Sequence, residues 1–179
     1  MITKTDKLYL FWQTDSNLSN WARTNFIYKG TRVGNSETAY MYEKAMSMGD
    51  TDTASLILES KQPSDTKRLG RQVKNYDDNL WNSIKLDIMT GVVLTKARSH
   101  TPTYNELEST LGLVIAEASP KDKIWGIGLA PNDAKALNMG NWIGENLLGK
   151  AWMVARDIIF DENYYSKLGN LDKFKKDDF

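Results

Sequence analysis

The segment DDNLWNSIKLDIMTGVVLTKA, which begins at Asp77, constrains this chain more than any other stretch. Leu80, Ile84 and Ile88 recur in it at four-residue spacing, which lines them up as one apolar stripe of a long helix, and Asp77 can cap its first turn. Gly91 is expected to weaken or bend that helix. The neighbouring segments repeat the same message. Asn35 and Ser36 can cap ETAYMYEKAMSMG, whose helical period ends at Gly49; Thr51 can cap TASLILES; Pro63-Ser64 opens SDTKRLGRQVK. ENLLGKAWMVARDIIF returns to helical spacing, with Leu148, Trp152 and Ala155 on one stripe. The β signals are fewer: LYLFW at residues 8–12, FIYKGTRVGNS with a turn at Lys29-Gly30, and the apolar run LVIAEAS at residues 113–119, which suits a buried strand. The expectation is an α+β protein, predominantly helical, with a small β component.

At 179 residues the chain lies in the single-domain range. Residues 1–165 read as one compact domain, and residues 166–179 as a charged C-terminal tail with Phe174 and Phe179 as its docking handles. Lys plus Arg and Asp plus Glu both number 23, so no bulk field draws the chain to nucleic acid or anionic lipid, and any phosphate site must be local. There is no cysteine and one histidine, His100, which removes disulfides, thiol nucleophiles and Cys/His zinc sites from consideration. The remaining chemistry belongs to carboxylates, lysines, hydroxyls and aromatic rings. No calcium-loop pattern, secretory signal or membrane-length apolar window is found, so no metal and no membrane are expected, and a cytoplasmic location is.

Three clusters could carry chemistry. Glu37, Tyr40, Met41 and Lys44 fall at i, i+3, i+4 and i+7 of one helix, which places a carboxylate, a phenol and an amine on one face within about 10 Å; a solvated surface stripe would show the same spacing. In SPKDKIWGIGL, residues 119–129, Gly126 and Gly128 could let backbone pass close to a sugar or phosphate while Trp125 covers a planar base, with Asp122 nearby. A tight turn with a packed tryptophan is the plainer alternative. In GNWIGENLLG, from Gly140, Asn141, Trp142 and Asn146 could meet a ligand's hydroxyls or amide edge, or simply turn the loop before a core-facing helix. Trp81 sits one residue past the apolar stripe of its helix, a place more often core than ligand shelf. Lys67, Arg68, Arg71 and Lys74 form a basic face that reads most simply as solvated.

Taken in order, SNW at residues 19–21, NSETAYMYEKA at 35–45, the Trp81 helix, EASPKDKIWGIGL at 117–129 and NWIGENLLGKAWMVAR at 141–156 resemble the NADAR superfamily, which includes YbiA-like N-glycosidases. The resemblance runs from about residue 10 to residue 160. It implies a compact YbiA-like α+β domain that hydrolyses the C1′–N bond of a ribosylated base or nucleotide-like metabolite, such as a riboflavin-pathway intermediate or ADP-ribosylated guanine. It also implies site positions: Glu37 and Lys44 for the family's E-x6-K helix, Asp122 for the aspartate before WGIGL, Asn20 for the asparagine after the first strand, and Trp81 for the helix tryptophan. Lys96-Ala97 and STLGLV depart from the family pattern in a segment that could shape the base pocket.

The chemistry so implied is glycoside-like. Breaking a C1′–N bond develops positive charge on the sugar, which a carboxylate near C1′ stabilises, or that carboxylate activates water. Glu37 is the first choice. The resemblance further suggests that Lys44 attacks an opened sugar at C1′ and forms a Schiff base, for which its pKa must be lowered. Asp122 then holds ribose hydroxyls or water, Trp125 or Trp81 stacks on the base, Asn20 fixes sugar or phosphate, and no cofactor is required. The expected partner is a small nucleotide-like substrate, with ADP-ribosylated nucleic acid as an alternative. The competing reading is a binding module that sequesters ADP-ribose or an NAD-derived nucleotide without turnover. Oligomeric state is not legible.

Overall fold

A computed structural model describes residues 1–161; the tail expected at residues 166–179 lies outside the described residues. Strand β1 (Ile2–Lys4) pairs antiparallel with β2 (Leu8–Phe11), which pairs parallel with β5 (Val114–Glu117), in the order β1-β2-β5. Strands β3 (Phe26–Tyr28) and β4 (Thr31–Val33) form a separate hairpin. Around these lie helices α1 (Ser36–Ser47), α2 (Thr51–Glu59), α3 (Pro63–Gly70), α4 (Asp78–Ser99), α5 (Thr101–Glu108) and α6 (Leu147–Phe160).

All four residues of β2 are buried, because both faces of the strand are covered. Its side chains alternate between faces. Tyr9 and Phe11 enter the main core with Leu94, Leu148 and Trp152, while Leu8 and Leu10 join Ala116, Ala118 and Ile127 in a smaller cluster. Full burial of a Phe-sized side chain contributes about 1.5–3 kcal/mol, so Phe11 ties β2 into the core that it shares with α4 and α6. Trp152 is fully buried, and its indole N–H donates to Leu18 O at 2.8 Å, leaving no buried donor unmet there.

Local chemistry explains the boundaries. Asn35 Oδ1 accepts from Thr38 N at 2.9 Å and starts α1; Asp77 Oδ1 accepts from Leu80 N at 3.0 Å and starts α4, which runs unbroken through the buried Gly91. The Lys29-Gly30 turn closes the hairpin with both residues at positive φ, the conformation that suits the twist of the flanking strands. Other boundaries differ from expectation. Asp50, not Thr51, caps α2 by accepting from Thr53 N. The same carboxylate accepts from Lys74 N at 2.8 Å, which draws the chain away from helical geometry, and α3 stops at Gly70 instead of continuing to Lys74. α6 begins at Leu147 because Asn146 adopts a left-handed backbone with φ 55°. Two elements were not expected at all: β1, with no fully buried position, and α5, capped by His100, whose Nδ1 accepts from Thr103 N. Among the described residues no helix is long and apolar enough to cross a membrane.

Candidate active site

A cleft of about 530 Å³ opens where the head of α1, the end of α3, the C-terminal end of β5 and the loop after β5 meet. From α1 come Glu37, Tyr40 and Met41, and from α3 come Lys67 and Arg71. β5 contributes Glu117, the following loop contributes Asp122 and Trp125, and the loop before β3 contributes Asn20 and Trp21. The parallel pairing of β5 with β2 makes this convergence possible, because it delivers Glu117 beside a helix eighty residues earlier in the chain.

Glu37 occupies the first turn of α1 and its backbone N–H donates to Asn20 O at 3.0 Å, so the Asn20 loop and the carboxylate are positioned together. The side chain is 5% exposed, and among the described residues Oε1 accepts no hydrogen bond; the same is true of Asn20 Oδ1. Burial pushes the Glu37 carboxyl up to about 7. Lys67 pulls it down, Asp122 pushes it up again, and hydrogen bonding from Trp21 and the charge of Arg71 offset part of the rise. Burial wins over the nearby cations because desolvation acts on the whole carboxylate, whereas the cations are partly screened. Glu117 is pushed higher still, to about 8, first by burial and then by Asp122 and Glu37. Two carboxyls of one cleft thus hold protons near neutral pH.

Asp122 has a structural and an electrostatic task. Its Oδ1 accepts from Trp125 N at 2.8 Å and Ile124 N at 3.0 Å, which shapes the loop, and its Oδ2 lies 3.9 Å from Lys67 Nζ across the cleft. Trp125 meets Tyr40 edge-on at 5.0 Å between ring centroids, and Tyr40 meets Trp81 at 5.1 Å. The aromatic wall is therefore continuous from the cleft into the core. Burial raises the Tyr40 hydroxyl far above its ordinary value, so it stays a neutral phenol.

Other expected residues stand elsewhere. Trp81 is buried in the main core and does not line the cleft. Lys44 lies one turn beyond Tyr40, and its Nζ donates to Gly70 O at 2.8 Å and sits 4.5 Å from the Tyr76 ring centre. Burial and Arg71 lower its pKa. Gly126 and Gly128 do not line the cleft either. A Cβ on Gly126 would stand 2.9 Å from the carbonyl oxygens of Asp122 and Glu117, and one on Gly128, at φ +73°, would stand 2.6 Å from Ile143 Cγ1. Both glycines let the loop close on itself and on its neighbour. Asn146 is buried with its amide clamped between Ile115 O and Glu117 N, tying α6 to β5. Trp142 donates to Ala136 O and packs on the smaller cluster, and Asn141 is exposed. Among the described residues, no group of three or more acidic or histidine side chains could hold a metal.

Sequence reasoning left Glu117 inside a motif without a role, and read Lys67 and Arg71 as a solvated face. In the structure that face divides: Lys67 and Arg71 turn to the cleft, while Arg68 stays exposed beside Asp65 and Lys74 reaches Asp52. Lys96, marked as a departure from the family pattern, is fully buried, and its Nζ donates to Ser19 O at 2.9 Å. Burial brings its pKa down to about 7 although Glu106 opposes the change. Glu106 also accepts from Asn17 N and from the Tyr9 and Ser16 hydroxyls. Lys96 and Glu106 together hold the loop that presents Asn20.

The NADAR domain profile matches residues 10–160. The chain is 33% identical over 165 residues to N-glycosidase R617 of Acanthamoeba polyphaga mimivirus, covering 86% of this chain and 97% of that protein. It is 25% identical over 168 residues to the riboflavin biosynthesis protein VVA0006 of Vibrio vulnificus, covering 92% of this chain but 42% of the relative. Among solved structures, the NMR structure of the E. coli protein YbiA superposes with a TM-score of 0.71 at 22% identity, over 93% of this chain and 90% of that one.

Proposed function

This chain belongs to the NADAR domain family, and from that premise we propose that it is an N-glycosidase that hydrolyses the C1′–N bond of a small, phosphorylated, ribosylated base. The observation that carries the reading is Glu37: a buried carboxyl, with one oxygen unbonded among the described residues, lining a cleft that also holds the carboxyls of Glu117 and Asp122, an aromatic wall and four cations, Lys67, Arg71, Lys121 and Lys123. The N-glycosidase names of relatives, including one that the chain spans almost entirely, support the same class.

The geometry supports a division of labour. Ionised Glu37 accepts a proton from water as the water oxygen bonds to C1′, and its charge stabilises the oxocarbenium-like sugar. Glu117, which burial keeps protonated to higher pH, gives a proton to the departing base nitrogen as the C1′–N bond breaks. Trp125 and Trp21 offer faces for the base, Lys67 and Arg71 neutralise phosphate, and Asn20 Oδ1 accepts from a ribose hydroxyl. A covalent route through Lys44 is favoured by one observation, the lowered pKa of its amine. On that route Nζ leaves Gly70 O and the neutral amine adds to C1′ of the ring-opened sugar; the C1′–N bond to the base breaks as the base nitrogen takes a proton, and water hydrolyses the Schiff base that remains, releasing the sugar and the amine. A ribosylamino-pyrimidine phosphate of the riboflavin pathway and an ADP-ribosylated guanine, free or in nucleic acid, both satisfy the chemistry, and the cytoplasm is the compartment in which the reading sets them.

Mass-spectrometric product analysis tests the proposal, with wild type and Glu37→Gln each incubated with those two substrates, ADP-ribose and NAD. Release of free base by wild type alone is expected. ADP-ribose or NAD recovered intact and bound to both proteins, with no turnover, would overturn it in favour of a sequestering module. Borohydride added during turnover decides between the routes, since only the covalent one leaves sugar on the wild type that Lys44→Ala lacks.

A further inference from the structure

Asn20 and Trp21, which the loop before β3 contributes to the cleft, are the two central residues of one tight turn. Ala22 N donates to Ser19 O at 3.2 Å and closes it, and Trp21 N donates to Ser19 Oγ, also at 3.2 Å. A second turn precedes it, closed by Ser19 N on Ser16 O. Such bonds fix the shape of a turn but not the direction in which it points. Side chains from three helices supply the direction. Glu106 of α5 accepts from Asn17 N and Asn17 Nδ2, both at 2.8 Å, and Trp152 of α6 donates to Leu18 O. Lys96 of α4 donates to Ser19 O at 2.9 Å and is the last of these anchors before Asn20.

An ammonium is a costly anchor in this place. Lys96 is fully buried, its Nζ lies 5.8 Å from the centre of the Trp152 ring, and the nearby Glu106 carboxylate already accepts from Tyr9, Ser16 and Asn17. Such a group adds little net stability, because the loss of its hydration offsets the gain from its contacts. An unbranched apolar side chain would fill the same volume without that cost. Ser19 O would also keep the Ala22 bond, so the turn does not need Lys96 for its shape. What the turn would lose is the charged hydrogen bond that ties it to α4. One residue on, Asn20 is 8% exposed and its Oδ1 has no partner among the described residues. A swing of the turn therefore displaces an acceptor that is free to meet substrate.

We infer that Lys96 is a positioning residue of the cleft: through Ser19 O it sets the turn that carries Asn20, and so fixes where the ribose of the substrate sits relative to Glu37. The inference rests on the N-glycosidase reading and adds to it a residue that never touches substrate.

The chain has no cysteine, so Lys96→Cys can be alkylated in denaturant at that one thiol and refolded, with wild type carried through the same steps. Bromoethylamine rebuilds an ammonium at the length of lysine, and bromopropane builds the same side chain ending in methyl. The aminoethyl protein should stay within about twofold of wild type in kcat/KM. The propyl protein should fall by about tenfold to a hundredfold, the loss that a displacement of about 1 Å can produce. The same pair made in Asn20→Ala separates placement from a general weakening of the structure. There the two alkylated proteins should differ by no more than about twofold, because the side chain that Lys96 places is gone. An equal gap in both backgrounds overturns the inference, as does an aminoethyl protein no better than the propyl one. A propyl protein that does not refold overturns it too, since Lys96 is then a requirement of the fold. If wild type cleaves neither candidate substrate, the N-glycosidase reading fails, and nitrogen–proton correlation spectra of the two alkylated proteins test placement alone. Different amide resonances at Asn20, Trp21 and Glu37 sustain it, the last because Glu37 N donates to Asn20 O, and coincident resonances overturn it.

Discussion

Replacing Glu37 with glutamine should abolish hydrolysis and at the same time make the folded protein more stable at alkaline pH. The carboxyl is 5% exposed, so solvent screening offers little relief when it ionises. Its pKa rises from the ordinary 4.5 to about 7 on folding. Each tenfold change in proton affinity is worth about 1.4 kcal/mol, so the ionised side chain costs the native state about 3 kcal/mol. Because the folded value lies above the unfolded one, that cost is absent in acid, where both states are protonated. It grows as the pH climbs from the unfolded value to the folded one, and is constant above. Urea unfolding of wild type and variant at about pH 4 and about pH 8.5 measures it. The variant's advantage should be close to zero at the lower pH and about 3 kcal/mol at the higher. Comparing the two proteins at each pH cancels distant titrating groups such as Lys96. Glu117 does not cancel, since Glu37 helps to raise it, and the loss of that repulsion adds to the alkaline gain. An identical gap at both pH values, or a variant less stable at alkaline pH, would refute the argument that Glu37 is held in an unfavourable environment. Retained activity would remove it from the chemistry.

The two carboxyls also set the pH dependence of turnover. kcat/KM should rise as Glu37 ionises near 7 and fall as Glu117 loses its proton near 8, with apparent values that belong to the pair, and Glu117→Gln should remove the alkaline limb; an unaltered pH–rate profile in that variant would exclude Glu117 as the proton donor. Asp122→Ala removes the acceptor for Ile124 N and Trp125 N and should cost about 1–2 kcal/mol of stability together with most activity, whereas Asp122→Asn keeps a side-chain oxygen for those donors and should recover the stability but not the Lys67 partnership. Thermal unfolding and kcat/KM of the pair separate loop shaping from charge, and equal stability losses in both variants would show that the turn bonds are not what Asp122 contributes.

The legible parts of this protein were those governed by neighbours in sequence. The caps at Asn35 and Asp77 and the Lys29-Gly30 hairpin turn each depend on contacts within a few residues, so residue type and spacing determine them; the expected stripe of the Asp77 helix does not hold, since Leu80 is exposed, Ile84 and Ile88 are half-buried, and packing buries Trp81 and the turn from Met89 onward instead. β1 escaped because it is short and has no buried position, and α5 because it is short and its buried face is marked by one apolar residue, Leu107, beside the polar Thr103. The motif segments marked the right neighbourhood, since Glu37, Tyr40, Asp122, Trp125 and Asn20 do converge on one cleft. What each residue does there was decided by tertiary structure. Parallel pairing of β5 with β2 brings Glu117 to Glu37, and the packing of α3 on α1 places Lys67 and Arg71 at the cleft. Packing fills the space around Gly126, Gly128 and Asn146 with the protein's own atoms. The physical reason is that a motif states which side chains lie close in the chain, but desolvation, charge pairing and steric fit depend on which side chains lie close in space.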